Sequence, residues 1–240
     1  YGFNGIDLIK AKTDYSLGSG FGGMMIWELG QDQFDDRSLL SALAGAMGSG
    51  PAPLPVLPAP WQTADVGAVG LTGSASESNG VFTVAGAGAD IGGRSDSFRF
   101  VYQTLSGDGE IRVRIPSQSS TDSNAKAGVM IRESLNANSR HAMMDITPGK
   151  IFGFLIRSKT GGRSSLTQCG GTNPAPDNWV RLVRTGNTIT AYNSANGSSW
   201  VKAKSISLSM GANIYAGLAV TSHNTAVLNK AAFDNITVIP

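Results

Sequence analysis

The sequence predicts a mainly β protein: an antiparallel β-sandwich preceded by a short α/β segment. Three observations predict it. From Trp61 onward, apolar and polar residues alternate in short runs broken by Gly, Asn and Ser, the period of half-buried strands. The chain carries 31 glycines, which suits many short strands and tight turns. Half of its 10 prolines fall between Pro51 and Pro60, where fixed φ and missing N–H donors forbid a helix interior or a central strand. That run reads as an extended, semi-rigid spacer, about 30 Å long at about 3.1 Å per residue, the alternative being a proline-rich loop lying on one domain's surface. It divides the chain into residues 1–48, a linker at 49–60, and a sandwich at 61–240.

Before the spacer, the apolar positions Ile6, Ile9, Ala11 and Leu17 predict a short helix over Asn4 to Leu17, ended by Gly18 to Gly20. Met24 to Trp27 is a continuous apolar run and predicts a strand buried on both faces. Asp35 to Leu43, with an acidic start and Leu39, Leu40 and Leu43, predicts a closing helix. Gly18, Gly20 and Gly23 satisfy a G-x-G-x-x-G count, but they follow a helix and open a strand, the reverse of a dinucleotide fingerprint.

The stretch Gly22 to Asp32, containing Met-Ile-Trp-Glu and Gly-Gln-Asp, resembles the last barrel strand of family-18 glycoside hydrolases, the chitinases, with the barrel's final helix after it. The resemblance implies that Trp27 forms the floor beneath the sugar being cleaved and that residues 1–48 are the end of an incomplete TIM barrel. The Asp-x-x-Asp-x-Asp-x-Glu motif that carries the family's acid is missing, and Glu28 on its strand points away from the face of Trp27. The chain alone is therefore expected to hydrolyse nothing.

After the spacer, strands are predicted at Ser97 to Gln103, Glu110 to Ile115, Ala127 to Glu133, Ala142 to Thr147, Ile151 to Arg157, Trp179 to Arg184, Thr188 to Asn193, Val201 to Leu208, Tyr215 to Thr221 and Ala231 to Val238. Turns fall at Ser106 to Gly109, Pro148-Gly149, Thr185 to Asn187 and Asn196-Gly197. In the first strand Phe98, Phe100 and Tyr102 are assigned inward and Arg99, Val101 and Gln103 outward. In the second, Ile111, Val113 and Ile115 are inward and Glu110, Arg112 and Arg114 outward.

The segments Trp61 to Gly67, Gly88 to Gly92, Phe100 to Gln103 with Ser106 to Gly109, Ala127 to Ser134, Trp179 to Leu182, Gly217 to His223 and Phe233 to Asn235 resemble the concanavalin-A-like jelly-roll domains attached to extracellular bacterial glycosidases. The resemblance implies a secreted protein, but members of that superfamily bind glycans, act as enzymes or serve as spacers. The first reading is a non-catalytic carbohydrate-binding domain whose partner is a polysaccharide such as chitin; the alternatives are a chitinase active site completed by residues upstream, and a structural or adhesion sandwich without glycan affinity. The resemblance also implies a structural calcium at Asp234, although one aspartate does not make a site. No cofactor is required by this reading, and a monomer is expected.

Sugar sites combine an aromatic plane with planar donors and acceptors. Arg99, Gln103, Arg112, Arg114, Arg132 and Arg157 fall on the outward phase of their strands and are the candidate binding residues; an ordinary solvated face carries the same pattern. Arg132, after a strongly apolar stretch, also suits a buried structural arginine. Trp61, Trp179 and Trp200 stand beside turns, where a ring packs an edge or serves as a stacking platform. The net charge of +2, without a clustered basic face, gives no reason to expect nucleic acid, and no apolar run is long enough to cross a membrane. His141 and His223 lack suitably spaced partners, and the lone Cys169 has no base beside it.

Overall fold

The computed structural model describes residues 5–19, 24, 32, 35, 38–47, 57–169 and 177–240. The chain divides into two compact units, Tyr1–Val56 and Leu57–Pro240. In the first, helix α1 spans Ile6–Gly18 and packs against α2, Leu39–Ala46. Ser38 caps α2, its Oγ accepting from the Ser41 N–H at 2.9 Å, and Asp32 accepts from the N–H groups of Leu39 and Leu40. Both helices occur where apolar spacing predicts them. The predicted strand at Met24 to Trp27, and with it Trp27, lies outside the described residues except for Met24, as does the spacer from Pro51 to Val56.

The second unit is a sandwich of two antiparallel sheets. Its strands are β1 (Gln62–Val66), β2 (Ser74–Ser78), β3 (Val81–Gly88), β4 (Phe98–Ser106), β5 (Gly109–Gln118), β6 (Lys126–Arg132) and β7 (His141–Ile146). Then follow β8 (Phe152–Arg157), β9 (Ser165–Gln168), β10 (Trp179–Thr185), β11 (Thr188–Ser194), β12 (Val201–Ser207), β13 (Asn213–Thr221) and β14 (Asn224–Ile239). One sheet runs β1-β4-β13-β6-β7-β8-β9 and the other β12-β11-β10-β5-β14-β3-β2. Consecutive strands β4 and β5 lie in different sheets, so Ser106 to Gly109 is a crossover rather than a hairpin turn. Asp108 Oδ1 anchors it by accepting from the Gly186 N–H at 2.6 Å.

The predicted phase holds on β5, where Ile111, Val113 and Ile115 enter the inter-sheet core with Val129, Ile131, Phe152, Phe154, Val180, Leu182 and Leu218. On β4 it is reversed. Val101 and Leu105 enter that core, and Arg99 and Gln103 share their face, so neither points to the outer side. Phe98, Phe100 and Tyr102 instead face the outer side of their sheet. There they build a second apolar cluster with Val66, Ile91, Met130, Met143 and Leu155. Both faces of this sheet are therefore covered, which is why β6, β7 and β8 are buried at every position.

The cover is fastened by one carboxylate. Arg132, His141 and Arg157 are cross-strand neighbours on β6, β7 and β8, and all three are fully buried beneath Asp96. Asp96 accepts from Arg157 Nη1 and Nη2 at 2.7 Å each and from Arg132 Nη1 at 3.2 Å. The remaining guanidinium donors go to the carbonyls of Ser134, Asn136, Gly162, Ala137, Ser139 and Gly92. Arg132 and Arg157, assigned above to an outward binding face, are thus interior residues whose donors are already used. Asp96→Ala would leave two guanidiniums buried without their counter-charge, and the expected loss is about 3–5 kcal/mol of unfolding free energy. Urea unfolding of Asp96→Ala against the parent chain measures it.

Candidate functional site

With one face of the first sheet closed, two neighbouring surfaces remain where polar and aromatic side chains meet. The first is a cleft of about 580 Å³ lined by Trp61, Asn79, Gly80, Gln103, Asp234 and Asn235 over an apolar base of Phe82 and Val238. It forms at the edge of the sandwich because Trp61 leads into the edge strand β1, the Asn79-Gly80 turn joins β2 to β3, and β14 changes register on both sides of Asp234. Asn79 and Asn235 both adopt positive φ, 51° each, at these bends. Trp61 is half-buried, its ring meeting Phe82 edge-on at 5.3 Å. The cleft thus offers one ring and three amides from four separate segments of chain.

The second surface is the outer face of the other sheet. Arg112 and Arg114 do lie on it, as their alternation with buried neighbours predicts. Arg114 donates from Nε and Nη2 to the two oxygens of Asp234 at 2.7 and 2.5 Å. This pairing raises the Arg114 value and holds the Asp234 carboxyl below its usual range. Arg181, on β10 opposite Arg112, binds Glu110 through Nε at 3.0 Å and through Nη2. Its guanidinium stacks 5.3 Å from the ring centre of Tyr192 and 5.6 Å from that of Trp200. Trp179 meets Trp200 edge-on at 6.4 Å. A Cβ at Gly197 would stand 2.7 Å from the Trp179 ring, so only glycine lets the turn lie against it.

The other predicted residues are dispersed. Arg99 pairs with Asp65 at 3.3 Å on the inner side of the sheet edge, and Gln103 enters the cleft. Asp234 serves both surfaces, lining the cleft while it clamps Arg114, and a guanidinium on both oxygens does not fit a calcium ligand. Among the described residues, no group of three or more His, Cys, Asp or Glu side chains is arranged to hold a metal. Arg181 and Tyr192 were missed, although Trp179-Val-Arg-Leu alternates as Glu110-Ile-Arg-Val does and places Arg181 outward by the same rule.

Two buried titratable groups lie in the closed face. Burial lowers His141 to about 3, with the two flanking arginines working in the same direction and Asp96 against them. Burial raises Asp145 to about 7, and Lys126 offsets part of the rise. Asp145 is pressed between Gly128 and Gly153; a Cβ on Gly153 would lie 2.6 Å from its Oδ1. Cys169 is also raised, by burial first and then by Asp145, which disfavours its thiolate. None of these groups forms a base–nucleophile pair among the described residues. Nor is any described helix long and apolar enough to cross a membrane.

The fold recurs in solved structures. A functionally unknown protein from Saccharomyces cerevisiae matches with a TM-score of 0.57 at 18% identity, over 70% of this chain and 92% of that one. The carbohydrate binding module CBM66 from Bacillus subtilis matches with a TM-score of 0.51 at 14% identity, over 75% and 95%. The GH43 BlXynB protein from Bacillus licheniformis matches with a TM-score of 0.52 at 15% identity, over 69% of this chain and 34% of that one. No family model and no curated protein sequence matches the chain significantly. At these identities the likeness establishes the fold, a jelly-roll sandwich.

Two outcomes follow. Between about pH 3 and 6.5 the unfolded chain carries a proton on His141 that the folded chain lacks, so this group stabilises the fold as pH rises. Between 3.8 and about 7 the folded chain keeps a proton on Asp145 that the unfolded chain has released, so stability falls as pH rises. The two oppose each other across pH 4–6.5. Asp145→Asn should become less stable toward acid and His141→Gln more so toward base, their slopes differing by about 3 kcal/mol per pH unit in urea titrations. Separately, EDTA should leave the melting temperature unchanged; a drop of several degrees would restore calcium to Asp234.

Proposed function

We propose that residues 61–240 form a carbohydrate-binding module and that the Trp61 cleft is its sugar site. The observation that carries this reading is the cleft itself. A half-buried indole stands beside the amides of Gln103, Asn79 and Asn235. An indole covers the C–H face of a pyranose, while planar amides both donate to and accept from its hydroxyls. The fold shared with CBM66 of Bacillus subtilis, described as a carbohydrate binding module, supports the reading without choosing a sugar.

In this proposal the module has no chemistry of its own. Residues 1–48 are the end of a chitinase-like barrel whose acid motif lies elsewhere in a longer protein, Trp27 contributes the floor beneath the sugar there, and 49–60 is the spacer. A secreted enzyme so tethered is held at an insoluble polysaccharide such as chitin, which raises its effective substrate concentration. Catalysis and anchoring are then divided at the proline run.

The test is retention of the chain on insoluble chitin, cellulose and xylan, followed by titration with soluble oligosaccharides. Trp61→Ala should weaken binding tenfold or more, and Gln103→Ala and Asn79→Ala about three- to tenfold each, the range of single hydrogen-bonding contacts. Because Trp61 also packs on Phe82, the exposed Asn79 variant serves where Trp61→Ala unfolds. Absence of retention on every glycan, or binding indifferent to all three substitutions, removes the proposal.

A further inference from the structure

We infer that the outer face formed by β5, β10 and β11 reads negative charge, so that the polysaccharide bound is an acidic one, bearing carboxylate or sulfate groups. The inference rests on the carbohydrate reading above and adds the ligand's chemical class. Its starting point is the register. Asp234, Arg114 and Trp179 form one row across β14, β5 and β10. Thr237, Arg112, Arg181, Tyr192 and Lys202 form the next, from β14 to β12.

Placing Arg112 directly opposite Arg181 sets like charges on adjacent strands, an arrangement that folding disfavours. The carboxylates relieve it unevenly. Asp234 is taken by Arg114 and Glu110 by Arg181, whereas Arg112 comes only within 3.9 Å of Glu110 and keeps 37% of its side chain exposed. Against four cations, Arg112, Arg114, Arg181 and Lys202, stand three anions: Glu110, Asp234 and Asp177, the last acting on Arg114 from the loop before β10. Among the described residues of this face, two cations lack a hydrogen-bonded carboxylate: the exposed Lys202, and Arg112, whose nearest is Glu110 at 3.9 Å. Of the two, Arg112 is the planar fork suited to the paired oxygens of a carboxylate or sulfate.

Beside it the rings of Tyr192 and Trp200, both half-exposed and held in place by Arg181, present apolar planes for the sugar that bears the anion. Asp234 joins this face to the Trp61 cleft, so the two surfaces are continuous. From β14 to β11 the face spans three strand spacings, about 14 Å, enough for a short run of pyranose units. A nucleic acid also combines anions with planar rings, but its backbone calls for a groove of several free cations, and on this face only Arg112 and Lys202 lack a hydrogen-bonded carboxylate among the described residues.

The experiment compares glycans that differ only in charge, using the full chain: methyl-esterified pectin against polygalacturonate, and dextran against dextran sulfate, each by calorimetry at low and at raised salt. The charged member of at least one pair should bind about tenfold more tightly at low salt, the worth of one charge-assisted contact, and the margin should shrink as salt rises. Which pair responds tells carboxylate from sulfate. Arg112→Gln should lower the charged-to-neutral affinity ratio about tenfold, and Lys159→Gln, on an exposed loop away from this face, should leave it unchanged.

Equal affinity within both pairs, an unchanged ratio in Arg112→Gln, an equal loss in Lys159→Gln, or preference for a single-stranded oligonucleotide over every glycan would overturn the inference. Neutral glycan bound through Trp61 without any charge preference leaves the module standing and removes only the acidic class. Acidic glycan bound through Arg112 and insensitive to Trp61→Ala keeps the inference and removes the cleft. Binding to no glycan removes both.

Discussion

Asp96 is the group on which the arrangement of this sandwich depends. It sits in the loop between β3 and β4, and its two oxygens take three bonds from guanidiniums on β6 and β8. The cluster carries two positive charges and one negative, since His141 is held neutral. A buried excess charge is costly unless dipoles surround it. Here the carbonyls of residues 92, 134, 136, 137, 139 and 162 supply them, drawn from three separate loops. Burial lowers Arg132 to about 10, which still leaves it charged at neutral pH.

Because the arginines need those carbonyls, the loops are held down over the outer face of the first sheet. Phe98, Phe100, Met130, Met143 and Leu155 then have a lid and become interior. The same cover shuts the face against a polysaccharide. Among the described residues, half-exposed rings and the loosely paired Arg112 guanidinium are found at the edge where Trp61 stands and on the outer side of the second sheet. The site follows from which face the buried charge cluster closes.

This also explains how far the sequence could be read. Ten of the fourteen strands among the described residues fall where short apolar or alternating runs between turns place them, although β14 starts at Asn224, seven residues before the expected Ala231. Of the four missed, β1, β2 and β9 contain few large apolar residues to set a period, whereas β3 carries Val81, Phe82 and Val84 and alternates in burial before its Ala-Gly end. On β4 the period was correct and the phase was not. Three aromatics on one side look like the core, yet here the larger rings fill the outer cluster, and Val101 and Leu105 enter the inner one. Arg132 and Arg157 failed for the same reason, because alternation says which residues share a face but not what covers it. The cleft was illegible: Trp61, Asn79, Gln103 and Asn235 come from segments far apart in sequence, and only the sandwich brings them together.

The arginines therefore separate by what the fold does with their donors. Arg132 and Arg157 spend theirs on a carboxylate and on backbone carbonyls, and substituting either would register as lost stability. Arg114 and Arg181 each hold one carboxylate at a surface, where screening makes such pairs weak contributors to folding. Their effect is on geometry instead: Arg114 fixes Asp234 at the rim of the cleft, and Arg181 holds Tyr192 and Trp200 in register. Arg112 does neither. A half-exposed guanidinium opposite another arginine, with Glu110 3.9 Å away, adds little to folding and slightly opposes strand pairing. In a row of side chains that the fold has fixed, Arg112 keeps the loosest carboxylate contact, Glu110 at 3.9 Å, and that looseness is what makes it the proposed point of contact for an anionic ligand.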